Sequence, residues 1–208
     1  MIGCEEFWNR RSRVFDDQVG PRYEEAYRRT AAGAIKYLKP TDRVLEFACG
    51  TGITTVEIAP HVDSVLGIDI SMDMVRKAQN KVAMLGLPNV HITKASLFSP
   101  DLEEKSFDAV TAFNVLQYVK DVDKVLARIR SLLKPGGYFF SATDCLGNGV
   151  TREGMKKLIK SHTGQMPHVT FFRQENLPGI IVKAGFEIQE YQNLFPAPPN
   201  LFVAARRV

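Results

Sequence analysis

Between Arg43 and Arg207 the chain alternates short apolar runs with segments whose apolar positions recur every three or four residues. The runs at 43–47, 64–70, 90–94, 108–113 and 138–143 are almost continuously apolar, as in Val44-Leu45-Glu46-Phe47 and Ala109-Val110-Thr111-Ala112-Phe113. Strands covered on both faces of a parallel sheet read this way, because neither side of the pleat meets water. The segments at 54–59, 72–85 and 123–133 carry helical periodicity. In the second, Ser71 is the expected N-cap, and Met74, Val75, Ala78, Val82 and Leu85 form one stripe. The third should stop at Lys134-Pro135-Gly136-Gly137, where proline cannot continue a helix and glycine permits a reversal. Strand and helix in alternation imply right-handed crossovers and an open α/β sheet.

Two regions stand outside this alternation. Residues 1–38 read as one or two helices rich in aromatic and basic side chains. Residues 145–170 are polar, with Gly147, Gly149 and Gly164, and read as a loop holding a short helix around 153–161. A helix over 174–183 follows, then strands at 186–192 and 201–205. The prolines at 196, 198 and 199 argue against a tight two-residue hairpin, so an antiparallel pair with a longer connection is expected.

Composition narrows the class only a little. A chain of 208 residues, 45% hydrophobic and 24% charged, can bury a core without a disulfide or metal scaffold and is not composed like a disordered chain. No apolar run reaches the ~18 residues of a membrane span, and the first residues lack the apolar core of an export leader; a cytoplasmic protein is expected. Lys and Arg total 27 against 23 for Asp and Glu, a net charge of +4. The basic residues fall in small groups (Arg10, Arg11, Arg13; Arg152, Lys156, Lys157, Lys160; Arg206, Arg207) that read as solvated faces, and a nucleic-acid partner is not expected. Cys4, Cys49 and Cys145 are widely spaced and the histidines form no His-x-x-x-His pair, so neither a disulfide framework nor a metal site is expected.

The chemistry concentrates in Val44-Leu-Glu-Phe-Ala-Cys-Gly-Thr-Gly-Ile-Thr-Thr55. A buried strand runs into Gly50-Thr51-Gly52 and then a helix, so the backbone can turn sharply and come close to a ligand. In open α/β sheets this crevice binds nucleoside cofactors, and Asp69, closing the next strand, is placed to accept both ribose hydroxyls. A dinucleotide turn would have a third glycine where Thr55 stands, and no Gly-Lys-Ser/Thr triplet follows. Glu46 at the loop mouth would repel a pyrophosphate but suit an amino group. A nucleoside bearing an ammonium group and no phosphate fits best.

EFACGTG, GIDIS, SFDAVTAFNVLQYV and LLKPGGYFF occur in an order and spacing that resemble the class I S-adenosylmethionine-dependent methyltransferases, of the small type that includes ubiquinone and sterol methyltransferase relatives. The resemblance covers residues 42–143 closely. It implies a doubly wound, Rossmann-like, seven-stranded, mostly parallel sheet with an antiparallel last strand, and S-adenosyl-L-methionine as cofactor. On matching positions it implies Gly50 and Gly52, with Ala48 and Thr51, under the methionine part, Glu46 near its amino group and Asp69 on the ribose. Ile70 would flank the adenine, Phe113 and Asn114 would contribute backbone at the methionine end, and Met74 is also expected at the cofactor. Two departures stand out. Ala48 replaces the usual first glycine, and Ala95-Ser96 replaces the usual Gly-Asp after the third strand. Ser96 can accept one hydrogen bond from the adenine, or Leu97 can simply cover the ring.

The reaction implied is transfer of a methyl group to a small-molecule acceptor by in-line displacement. Side chains just beyond the strand ends face the crevice, which makes Tyr118 and Asp144 candidate catalytic residues, with His162 as a base carried by the insertion. Tyr118 reads equally as a core aromatic, His162 and His168 as loop polarity, and Cys145 as a packing residue. The run Asn114-Val115-Leu116-Gln117 lacks the proline pair used to methylate amino groups of DNA bases or glutamine. Phe7, Trp8, Phe15, Tyr23 and Tyr27, with Phe171, Phe172, Phe195 and Phe202, offer aromatic surface to an acceptor or simply pack helices onto the sheet. The organisation expected is a single domain: 1–38 a helical cap, 39–144 the cofactor-binding core, 145–170 an insertion acting as lid, and 171–208 a C-terminal helix and strand pair. The competing readings are an NAD(P)-dependent oxidoreductase and a catalytically inactive S-adenosylmethionine-binding regulator.

Overall fold

The computed structural model describes residues 3–147 and 152–208, with backbone alone at 19–22 and 153. Gly149, expected in the insertion loop, lies outside the described residues. Two helices come first, α1 (Cys4–Ser12) and α2 (Phe15–Ile35). Then β1 (Arg43–Phe47), α3 (Ile53–Ile58), β2 (Ser64–Asp69), α4 (Met72–Leu85) and β3 (Val90–Lys94) alternate. They are followed by β4 (Phe107–Phe113), α5 (Val122–Leu132) and β5 (Leu133–Asp144). The chain ends with α6 (Arg152–His162), α7 (Leu177–Lys183), β6 (Phe186–Pro196) and β7 (Pro199–Arg207).

One sheet runs in the order β3-β2-β1-β4-β5-β7-β6. The first five strands are parallel, and β7 lies antiparallel between β5 and β6. Strand order reverses between β1 and β4, which opens a crevice at their C-terminal ends. Both faces of the sheet are covered. Adjacent residues such as Val44 and Leu45, Phe139 and Phe140, or Phe202 and Val203 point to opposite faces, yet each is 0% exposed. Leu126, Ile129, Leu177 and Ile181 bring α5 and α7 onto one face; Ala31, Ala34 and Ile58 bring α2 and α3 onto the other. Gly33 lets α2 come close: a Cβ there would stand 2.8 Å from the Phe202 ring.

Ser71 caps α4 as expected, its hydroxyl accepting from the Met74 N–H at 3.2 Å. Several expectations need correction. Leu85, assigned to the buried stripe of α4, is 57% exposed, because the apolar cluster of Cys49 and Ile92 extends along the helix only to Val82. The segment 134–137 is not a reversal. Leu133 is already extended, and the extra residues enter β5 as a bulge between the Phe107–Leu133 and Ala109–Tyr138 pairs. The β6–β7 connection is a two-residue hairpin after all, with Pro196 opposite Pro199 and a cis Ala197–Pro198 peptide, a turn geometry open only to proline. Helix α7 starts at Leu177 with Pro178 in its first turn, three residues later than expected. Arg207, expected on a solvated face, donates to the carbonyl oxygens of Arg130 (2.7 Å) and Leu133.

Candidate active site

The glycine loop is built from left-handed backbone. Ala48 (φ 58°), Gly50 (φ 56°) and Gly52 (φ 78°) all have positive φ within five residues. At Gly50 a Cβ would meet nothing within 4 Å, so glycine serves backbone freedom beside open space. At Gly52 it would stand 3.2 Å from the Ala78 Cβ, so glycine there also lets α3 pack on α4. Ala48 holds the same conformation with a side chain, at a cost of about 1–2 kcal/mol.

Two acidic side chains brace this loop. Asp69 accepts from the Gly50 N–H at 3.0 Å with one carboxylate oxygen and from the Ser71 N–H at 2.8 Å with the other. Burial pushes its carboxyl above the ordinary range, and these N–H bonds oppose that shift. The Ile70 N–H also bears on this carboxylate, which leaves part of its acceptor capacity for a ligand hydroxyl. Glu46 is 2% exposed, and its two oxygens take the hydroxyls of Thr54 and Thr55. Burial pushes the Glu46 carboxyl up to about 7, against the pull of those hydroxyls.

Above the loop lies a cavity of about 530 Å³. Of the residues expected at the cofactor, Glu46, Ala48, Gly50, Thr51, Asp69 and Ile70 line it, as do Met74, Ser96, Leu97, Phe113 and Asn114. Gly52 does not; it shapes the start of α3. Ser96 is exposed and its hydroxyl accepts from the Phe98 N–H at 3.2 Å, while Leu97 is 1% exposed. Asn114 takes φ 55°, a left-handed conformation that asparagine tolerates, and so turns the chain at the end of β4.

The N-terminal helices close over the cavity. Trp8 and Phe15 line it, and the helices are latched to the rest of the fold at three places. Asn9 Oδ1 accepts from the Ser71 hydroxyl (2.7 Å) and the Asp73 N–H (3.2 Å). Asp16 accepts from the Thr51 hydroxyl at 2.5 Å and pairs with Lys81 at 3.3 Å. Glu5 pairs with Lys94 at 2.6 Å. Neither Asn9 nor Asp16 stood out in the sequence, since each is a single polar residue whose partner lies far along the chain.

At the other end a chain of polar side chains converges. Asp144 accepts from Lys157 Nζ at 2.9 Å and from Asn200 Nδ2 at 2.9 Å. Asn200 also donates to Asn114 Oδ1 at 2.7 Å. Lys157 Nζ also lies 5.8 Å from the centre of the Tyr118 ring. Burial works against the Lys157 charge, but Tyr118 and Asp144 outweigh it and hold the ammonium above its ordinary range. Burial raises Tyr118, with Lys157 pulling it down, and its ring meets Trp8 edge-on at 5.2 Å. The Oε1 of Gln117, a cavity residue 1% exposed, has no hydrogen-bond partner among the described residues.

Tyr118 and Asp144 are thus brought together in the cavity. His162 is not. It is exposed at the end of α6 with Nδ1 against the Leu158 carbonyl at 3.0 Å, and His168 is likewise exposed, bonded to Thr170. Helix phase places Lys157 of α6 in the cavity instead, and not on the solvated face expected for it. Burial pushes the Cys145 thiol up to about 12, consistent with a packing role. Among the expected aromatics, Trp8, Phe15, Tyr23, Tyr27 and Phe195 line the cavity, while Phe202 is core.

This geometry defines a nucleoside-binding crevice of the doubly wound α/β class. The chain matches a family model described as "Methyltransferase domain" over residues 17–191, and it belongs to that family. An uncharacterized methyltransferase of Schizosaccharomyces pombe is 32% identical over 118 residues, 53% of this chain and 41% of that protein. The ubiquinone/menaquinone biosynthesis C-methyltransferase UbiE of Geotalea daltonii is 32% identical over 136 residues, 58% of this chain and 57% of that protein. The chain thus spans about half the length of the curated relatives it matches. In fold it is similar to phosphoethanolamine N-methyltransferase 2 of Haemonchus contortus, solved with S-adenosyl-L-methionine (TM-score 0.79, 19% identity, 100% of this chain and 60% of that one).

Proposed function

We propose that this chain is an S-adenosylmethionine-dependent methyltransferase acting on a small-molecule acceptor. The observation that carries the reading is Asp69, which lines the cavity while its carboxylate ties the Gly50 loop to the end of β2. The residues fit the cofactor. Left-handed Gly50 lies beside open space and the others line the cavity: Asp69 would hold ribose hydroxyls, Glu46 an amino group, and Ile70, Met74 and Leu97 would cover a purine. When bound, S-adenosylmethionine supplies an electrophilic methyl group on a sulfonium sulfur. The chain's own task is alignment and exclusion of water.

On this reading Tyr118, Lys157 and Asp144 face the acceptor. The Lys157 ammonium can steady an oxygen that becomes anionic as its proton passes to solvent. Gln117 Oε1, left without a partner among the described residues, can accept from a ligand donor. The free thiols of Cys4, Cys49 and Cys145 support a reducing compartment such as the cytoplasm. Calorimetry with S-adenosylhomocysteine, NADH and ATP tests the cofactor assignment: binding is expected for the first alone, and binding of NADH alone would overturn it. Transfer of labelled methyl to a panel of phenols, enols and amines separates an enzyme from an inactive binder.

A further inference from the structure

Helix α6 is amphipathic the wrong way round. Its inner side carries the buried Gly154 and Lys157, which enters the cavity to pair with Asp144. Its outer side carries Met155, Leu158 and Ile159, exposed by 45, 37 and 56%. These three stand at the i, i+3, i+4 spacing of one helical face. Beside that apolar stripe Arg152, Lys156 and Lys160 are exposed, and the helix sequence holds a single acidic residue, Glu153. None of these three cations has an ion-pair partner among the described residues.

We propose that the outer face of α6 docks on an anionic lipid surface. An apolar stripe bordered by lysine and arginine is what such a surface selects, the stripe entering the acyl boundary and the cations meeting the headgroups. No helix among the described residues is long and apolar enough to cross a membrane, so the contact is peripheral. Because the same helix carries Lys157 into the cavity, docking sets the wall of the site against the lipid. It then assigns the acceptor to the lipid-soluble class. That last step rests on the proposed methyl transfer, whereas the docking itself does not.

The test is flotation of the full chain with vesicles of equal parts phosphatidylcholine and phosphatidylserine, and with vesicles of phosphatidylcholine alone. Binding is expected to the first and not the second, and to weaken as salt is raised. Lys156→Gln/Lys160→Gln should lower partition on the order of 30-fold, and Met155→Gln/Ile159→Gln on the order of tenfold. All four side chains are exposed, so circular dichroism should be unchanged. S-adenosylhomocysteine affinity, measured alongside, reports on the cofactor reading separately. Absence of binding to anionic vesicles, or equal binding to neutral ones, overturns the proposal. So does a concentration-dependent dimer that Met155→Gln/Ile159→Gln abolishes while vesicle binding is absent, since the face would then serve a second copy of the chain.

Discussion

Replacing Glu46 by glutamine probes the electrostatics of the cavity floor. Burial lifts this carboxyl from its ordinary 4.5 to about 7, even with the Thr54 and Thr55 hydroxyls opposing. The folded value lies above the unfolded one, so between these two pH values the folded chain keeps a proton that the unfolded chain has released. The contribution to stability is therefore largest below pH 4.5, falls as pH rises, and levels off above about 7. At about 1.4 kcal/mol per pH unit, the loss across the window is about 3 kcal/mol. Glutamine stays neutral throughout, and its amide can accept from one threonine hydroxyl while donating to the other. Urea unfolding of both proteins from pH 4.5 to about pH 8 should show the variant gaining about 3 kcal/mol on the wild type. Taking the difference cancels the remaining carboxylates. Parallel stability curves would refute the argument, because they would mean that Glu46 titrates alike in both states. The ligand offers a second readout: if ionised Glu46 faces an ammonium group, S-adenosylhomocysteine affinity should rise through pH 7 in the wild type and stay flat in the variant.

Three further outcomes are expected. Asp69→Ala removes the acceptor for the Gly50 and Ser71 N–H groups and should weaken S-adenosylhomocysteine binding by about 1–3 kcal/mol; unchanged calorimetric affinity would take Asp69 out of the ribose role. Ala48→Gly relieves a side chain held at φ 58° and should stabilise by about 1 kcal/mol, raising Tm by about 2–4 °C; a lower Tm would show that the methyl group packs usefully. Asn9→Ala cuts the latch to Ser71 and Asp73 and should speed cofactor release several-fold in a stopped-flow displacement assay, on loss of about 1 kcal/mol. An unaltered release rate would mean that α1 does not gate the cavity.

What the sequence revealed of the site is what lies close together along the chain. The strand, the glycines and the helix start occupy one continuous stretch, and Asp69 closes the very next strand, so loop geometry and acidic partner could be read off together. The bracing detail could not. That Thr54 and Thr55 occupy Glu46, or that Asn9 reaches Ser71 across 62 positions, depends on how α1 and α3 settle on the sheet. The strand edges were legible for the same local reason, since an apolar run marks a covered strand whatever surrounds it. The two-residue β6–β7 turn was missed because proline was weighed as a missing donor and not as the residue that permits a cis peptide.

The misplacement of the lid chemistry has a sharper cause. Periodicity says which residues of α6 share a face, but not which face turns inward. Met155, Leu158 and Ile159 mark a face that ordinary burial would put inside, with Lys156, Lys157 and Lys160 left in water. On that assumption His162 was the titratable group nearest the cavity. The helix docks the other way, with Lys157 paired to Asp144, a half-buried carboxylate at the end of β5, and a charge-assisted hydrogen bond away from bulk water favours that phase. Five residues at 100° each turn His162 about 140° away from Lys157, so the phase that satisfies Asp144 also sends the histidine to solvent. A half-buried acid at the end of β5 thus selects which side chain of α6 turns inward, and the apolar stripe it turns outward is left for the lipid surface.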